Sequence, residues 1–448
     1  MEKAKKFLYL MLVALVCCPS FFACNEDDDN NEKKEDWRDE VILGDSMIIS
    51  AKEMCDLLFG PDGGNADEDN AELRDAFMKN VKQIEDSLND VHGSNGLYLG
   101  FEAWEYYYWS KDQHGNDIRL SSLVSWAKYW LFGWYDLDPN NIYLVEHYTV
   151  LSNDECPTNS YSKEQIALGD NLLIIPDYIG YGYTKEKLHP YLNHDVCALN
   201  SVDALARGYK VFEEERDEDT RMEDDWKMYV IGSSQGGSNA LAVHKYLDTH
   251  PEFAHKWRFD YSYCCAGPYS PRKTMDYYYS SDKLSYPVII PIVIKSMLDS
   301  YPEIMGKWKE EDFYSEKYLA IKDDMDRLIA AKQTPSKPLI DSLKVLMKNT
   351  TDCTISVNDL LSDSALCKTS EMTQALYACL DKNDLTTGWT PTHLIKLYHS
   401  KEDDIVPFSN AEAVVSAFGD NVSLFRSYWV GHVATCTKWY GTLLTNNW

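Results

Sequence analysis

Short apolar runs alternate along the chain with longer segments in which apolar residues recur at helical spacing. The runs at 97–109, 117–126, 142–151 and 171–175 read as strands, as do those at 227–231, 392–400 and 423–430. Helical spacing covers 71–88, with Asp69 or Asn70 as its cap, and 238–247, which carries Ala240, Leu241, Val243 and Leu247. Strand and helix in repeated alternation predict an α/β fold, a doubly wound and mostly parallel sheet whose first strands are antiparallel. The alternation breaks after a strand ending near Cys265. More than a hundred residues then pass before the strand at 392, far beyond an ordinary crossover. Helical patterns at 316–332, 338–348 and 372–380 make this stretch an inserted, mainly helical cap over 276–390, between core segments 41–275 and 391–448. Its apolar segment 286–294 is a candidate wall for a pocket, and Tyr277, Tyr278 and Tyr279 stand beside it.

One strand-to-helix junction carries chemistry. Val230 and Ile231 lead into Gly232-Ser233-Ser234-Gln235-Gly236, a G-x-S-x-G turn followed by small helix-forming residues. Glycines two residues either side of Ser234 let backbone pass closely, so the turn can lift its hydroxyl into reach of a base. Ser233 lacks that flanking. A serine hydroxyl is almost un-ionised at neutral pH and needs a histidine, itself oriented by a carboxylate. The strand at 392–400 runs into Lys401-Glu402-Asp403-Asp404, placing an acid just past its end, with Asp403 the first choice and Asp404 the second. The next strand ends before Gly431-His432, which makes His432 the base. Serine, acid and histidine thus follow one another in the chain order of one hydrolase class.

The blocks around these residues resemble secretory lipases. Leu172-Leu173-Ile174-Ile175-Pro176-Asp177-Tyr178-Ile179-Gly180-Tyr181-Gly182, His189-Pro190-Tyr191-Leu192 and Asp203-Ala204-Leu205-Ala206-Arg207 look like the region before the nucleophile in that family. His147-Tyr148-Thr149 and Cys156-Pro157 are similar to its HGT and CAP segments, with tyrosine in place of the usual glycine. The resemblance covers about residues 98–448 and is weakest over 280–385. It implies an α/β-hydrolase fold and hydrolysis of acyl esters or lipids through an acyl-enzyme, without a cofactor. It also implies two backbone N–H groups for the developing oxyanion. Gln235, next to the nucleophile, supplies one. Asp177 is the family's position for the second, and the loop at Tyr148 and Thr149 is the position used by many other hydrolases.

The amino terminus gives an expected address. Lys3, Lys5 and Lys6 precede the apolar run 7–16, the layout of a signal peptide rather than a membrane-spanning helix. Phe21-Phe22-Ala23-Cys24 resembles a bacterial lipoprotein cleavage box, so residues 1–23 are expected to be removed and Cys24 to carry lipid. The acidic stretch that follows reads as a tether over 24–40, resembling the surface-export signal of some outer-membrane lipoproteins. A net charge of −29 weighs against nucleic acid or anionic polysaccharide as partners. His189 and His194, like His250 and His255, are five residues apart, which is not one helix face, and no metal set is complete. Beyond Cys24 and the signal peptide, disulfides are open, with Cys156–Cys436 and pairs within Cys353, Cys367 and Cys379 as candidates. Three functions remain: an ester hydrolase, a serine peptidase or aminopeptidase on the same scaffold, and a catalytically silent surface-binding lipoprotein.

Overall fold

A computed structural model describes residues 40–59, 68–160 and 169–445. The signal peptide, Cys24 and the tether up to residue 39 therefore lie outside the described residues. Ten strands form one sheet: β1 Ile42–Ser50, β2 Tyr98–Lys111, β3 Asp117–Trp130, β4 Trp134–Asp136, β5 Ile142–Glu146, β6 Leu172–Pro176, β7 Met228–Ser233, β8 Phe259–Cys265, β9 Leu394–Ser400 and β10 Val422–Ser427. Their order is β1-β2-β3-β6-β5-β7-β8-β9-β10, with β4 paired on β3. Pairing is antiparallel from β1 to β6 and parallel from β6 onward. Apart from β1 and β4, the early antiparallel strands and the parallel remainder are those predicted from the hydrophobic pattern. Strands β5 and β6 are buried at every position, as a parallel sheet covered on both faces requires.

The labelled helices are α1 Ala51–Phe59, α2 Glu68–His92, α3 His194–Glu215, α4 Gln235–Thr249, α5 Pro271–Tyr279, α6 Ile289–Ser300, α7 Lys322–Ala331, α8 Ser336–Lys348, α9 Glu371–Lys382, α10 Ser409–Phe418 and α11 His432–Thr445. Helices α3, α4 and α10 close one face of the sheet over Trp126, Val230, Leu241 and Leu397. Helices α1, α2 and α11 close the other over Phe77, Phe101, Ile231 and Trp439. The helices between β8 and β9 have a core of their own, including Met297, Phe313, Leu343 and Tyr377, into which Leu151, Tyr191 and Leu192 also pack.

One local expectation changes, and some elements lie outside the sequence pattern. Strand β1 and helix α3 were not read from sequence. The edge strand β1 is half-exposed, so its pattern is diluted, and α3 buries polar Asn200 and Ser201 along with its apolar face. The expected helix at 316–332 is two helices, because the chain turns at Ala320 and Ile321 before α7. The segment 286–294 leads into helix α6, which begins at Ile289.

Candidate active site

The parallel strands converge at their carboxyl ends, where ligands bind in open α/β sheets. Ser234 lies between β7 and α4 with φ of +57° and ψ of −123°, backbone that a non-glycine residue adopts only under constraint. Its N–H donates to the Cys265 carbonyl at 2.8 Å, and its own carbonyl accepts from the Gly237 N–H at 2.9 Å. The turn is too tight for side chains on either side. A Cβ at Gly232 would stand 2.3 Å from the Gly236 carbonyl oxygen, and one at Gly236 would stand 2.0 Å from that of Glu146.

The structure brings Ser234, His432 and Asp403 together, although they are far apart in sequence. His432 Nδ1 lies 2.7 Å from Asp403 Oδ2, and its Nε2 lies 2.8 Å from Ser234 Oγ. A carboxylate can only accept, so Nδ1–H donates to Asp403 and Nε2 is left to accept from the Ser234 hydroxyl. Asp403 takes two further hydrogen bonds on Oδ1, from the Ile405 and Val406 N–H groups at 3.0 and 2.8 Å. Burial opposes its charge, yet His432 and His399 beside it hold its carboxyl well below the usual carboxylate range. Burial likewise opposes a charged His432, but the neighbouring Cys436 and Asp403 raise its pKa above that of an ordinary histidine. Asp404 has a different place. Its Oδ1 accepts from the His432 N–H at 3.0 Å, so it fixes the histidine's backbone and Asp403 its ring.

Of the two expected oxyanion donors, Gln235 begins α4 immediately after Ser234. Asp177 is elsewhere, and the expectation for it is corrected. Its N–H extends the β3–β6 ladder by donating to the Ser121 carbonyl at 3.1 Å. Its buried carboxyl accepts from Ser121 Oγ at 2.7 Å and Thr158 Oγ1 at 2.6 Å, and burial pushes its pKa up to about 6. It pins a loop. Tyr148 and Thr149 instead line the cavity that contains Ser234 and His432. That loop is held from behind: His147 Nδ1 donates to the Tyr148 carbonyl at 2.7 Å, and the Tyr178 hydroxyl donates to the His147 carbonyl at 2.9 Å.

The cavity measures about 460 Å³ and lies between the sheet and the inserted helices. Met275, Tyr278, Ile289, Val293 and Leu380 form its apolar wall, which places the expected segment 286–294 and Tyr278 on the pocket. Two residues stand beside the triad in places the sequence did not assign them. Cys436, four positions after His432 on the same helix, brings Sγ within 3.9 Å of Nε2 and 4.0 Å of Cys265 Sγ; the H-x-x-x-C spacing was its only signal. His399 Nε2 lies 3.4 Å from Asp403 Oδ2 and donates to the Val406 carbonyl at 3.0 Å. The candidate disulfides are not formed: all the described cysteines are free thiols, and the neighbour of Cys436 is Cys265 rather than Cys156.

Comparison with solved structures identifies the architecture as the α/β-hydrolase fold. The rice cell wall degrading esterase LipA from Xanthomonas oryzae superposes with a TM-score of 0.61 at 18% identity, over 81% of this chain and 93% of that one. A ligand-bound form of the same esterase gives a TM-score of 0.61 at 16% identity, over 91% and 95%. Candida antarctica lipase A in its closed state gives 0.52 at 13% identity, over 77% and 78%. No protein-family model and no curated protein matches the chain.

Proposed function

We propose that the protein is a serine hydrolase that cleaves carboxylic esters of short to medium acyl chains, or lipids, through an acyl-enzyme. The observation that carries this is the hydrogen-bonded line Ser234 Oγ, His432 Nε2, His432 Nδ1, Asp403 at the base of an apolar cavity. His432 Nε2 accepts the hydroxyl proton as Ser234 Oγ attacks the ester carbonyl, and Asp403 stabilises the imidazolium that forms. The carbonyl oxygen becomes an oxyanion, met by the Gln235 N–H and by backbone of the Tyr148–Thr149 loop. His432 then returns its proton to the departing alcohol. A water molecule activated by the same nitrogen releases the acid.

The wall of the cavity suits an alkyl or aryl acyl group better than a peptide. An aminopeptidase needs an acid for the substrate amine; the one carboxylate among the described lining residues is Glu155, whose Oε2 accepts from the Leu151 and Ser152 N–H groups, which leaves Oε1 alone to serve. The solved esterases and lipase of the same fold agree in reaction type with the ester reading. The test is hydrolysis of p-nitrophenyl esters from acetate to palmitate beside aminoacyl anilides, in wild type and Ser234→Ala. Ester turnover that disappears in Ser234→Ala, by about 10⁶-fold in kcat, is the expected result. Anilide cleavage alone would replace the reading with a peptidase. Silence on every substrate would favour a binding protein.

We further propose that lipid on Cys24 anchors the enzyme to the outer membrane, facing the cell exterior. Cys24→Ala is expected to move the protein from the membrane fraction to the soluble one; an unchanged distribution would refute the anchor.

A further inference from the structure

Gln235 supplies an oxyanion N–H in the reading above, and its side chain is tethered. It is 2% exposed, and its Nε2 lies 2.7 Å from Nε2 of His189. The other nitrogen of His189, Nδ1, lies 2.8 Å from the Ile179 carbonyl, which can only accept, so Nδ1 carries the hydrogen. Burial lowers the His189 pKa to about 3, so the ring stays neutral at working pH. Nε2 is therefore a bare acceptor and the Gln235 amide donates to it. Tyr178, Tyr181 and Tyr191 surround the ring with centroids 5.7, 5.4 and 5.7 Å away, leaving it no second orientation. The loop carrying His189 is gripped in turn by the cap. Lys332, in left-handed backbone just past α7 and 9% exposed, donates from Nζ to the carbonyls of Gly180, Lys185 and Lys187. Those three bonds use all three ammonium hydrogens.

We propose that His189 and Lys332 are positioning residues for the oxyanion site: Lys332 of the cap fixes the 180–189 loop, and His189 at the end of that loop fixes Gln235 beside Ser234. The inference rests on the serine-hydrolase reading. It gives the inserted helices a part in the chemical step as well as in the shape of the pocket. An oxyanion donor acts mainly in the transition state, so misplacing it lowers kcat more than it changes KM.

The test measures kcat and KM on a p-nitrophenyl ester, and inhibition by an alkylboronic acid, whose tetrahedral adduct on Ser234 needs the same N–H groups. His189→Phe keeps an aromatic ring and removes the acceptor. It is expected to lower kcat by about 10²-fold, with KM within about twofold, and to weaken the boronic acid in parallel with kcat. His189→Gln returns an acceptor and is expected to recover most of the loss. Lys332→Met is expected to act in the same direction, and the double variant to lose little beyond His189→Phe, because the two act in series. If His189→Phe does not fold, Gln235→Met removes the other end of the same bond and carries the same expectations. Unchanged kcat in the folded variant, a change confined to KM, or unchanged boronic acid inhibition would overturn the role of His189. Additive losses in the double variant would overturn the series with Lys332. Absence of ester turnover in wild type would instead strike the parent reading.

Discussion

In the proposed mechanism Ser234 needs a neutral imidazole, and the residues around His432 decide when it is available. Its pKa is raised above the ordinary histidine value, so the charged form persists to higher pH and the base is lost as pH falls through that raised value. The acid limb of kcat/KM is therefore expected to have its midpoint above about 6.5, measured on an ester stable across the range. A midpoint at or below that value would contradict the environment described. The two neighbouring aspartates separate in the same assay. Asp403→Asn removes the charge that orients the ring and is expected to cost roughly 10⁴-fold in kcat. Asp404→Asn disturbs only the acceptor of the His432 N–H and is expected to cost about 10²-fold or less. The reverse ranking would reassign the acid. All three residues of this line were legible in the sequence because each follows a strand end that hydrophobic runs mark. Asp177 was misplaced because its block resembles a family motif while its N–H is already committed to the β3–β6 ladder.

The element that matters most is the turn between β7 and α4. Ser234 holds positive φ because Gly232 and Gly236 allow β7, α4 and the end of β5 to approach to contact. Gly236→Ala is expected to destabilise the protein by about 1–3 kcal/mol and to lower activity with it, since the added carbon meets the Glu146 carbonyl, which is backbone. Denaturant unfolding of the variant beside wild type measures this. An unchanged midpoint would mean the turn has slack. Strand β7 and helix α4 were readable from the hydrophobic pattern, whereas β1 and α3 were not. A half-exposed edge strand and a helix with polar residues on its buried side both blur the periodicity that sequence reading depends on.

At the scale of the molecule, the strand ends of the sheet carry Ser234, Asp403 and His432, and the inserted helices supply much of the cavity wall. The insertion was visible as a break in alternation too long for a crossover. Its contacts with the core were not, because the grip of Lys332 on three carbonyls, like the bond that Gln235 donates to His189 within the core, depends on a tertiary arrangement that no local pattern encodes. The account stands most directly on Ser234 as a nucleophile activated by His432. The measurement that tests this is labelling with a fluorophosphonate, followed by peptide mapping, in wild type and His432→Ala. A single adduct on Ser234 that is lost or strongly slowed in His432→Ala is the predicted result; no adduct in wild type, or one on another residue, would contradict it.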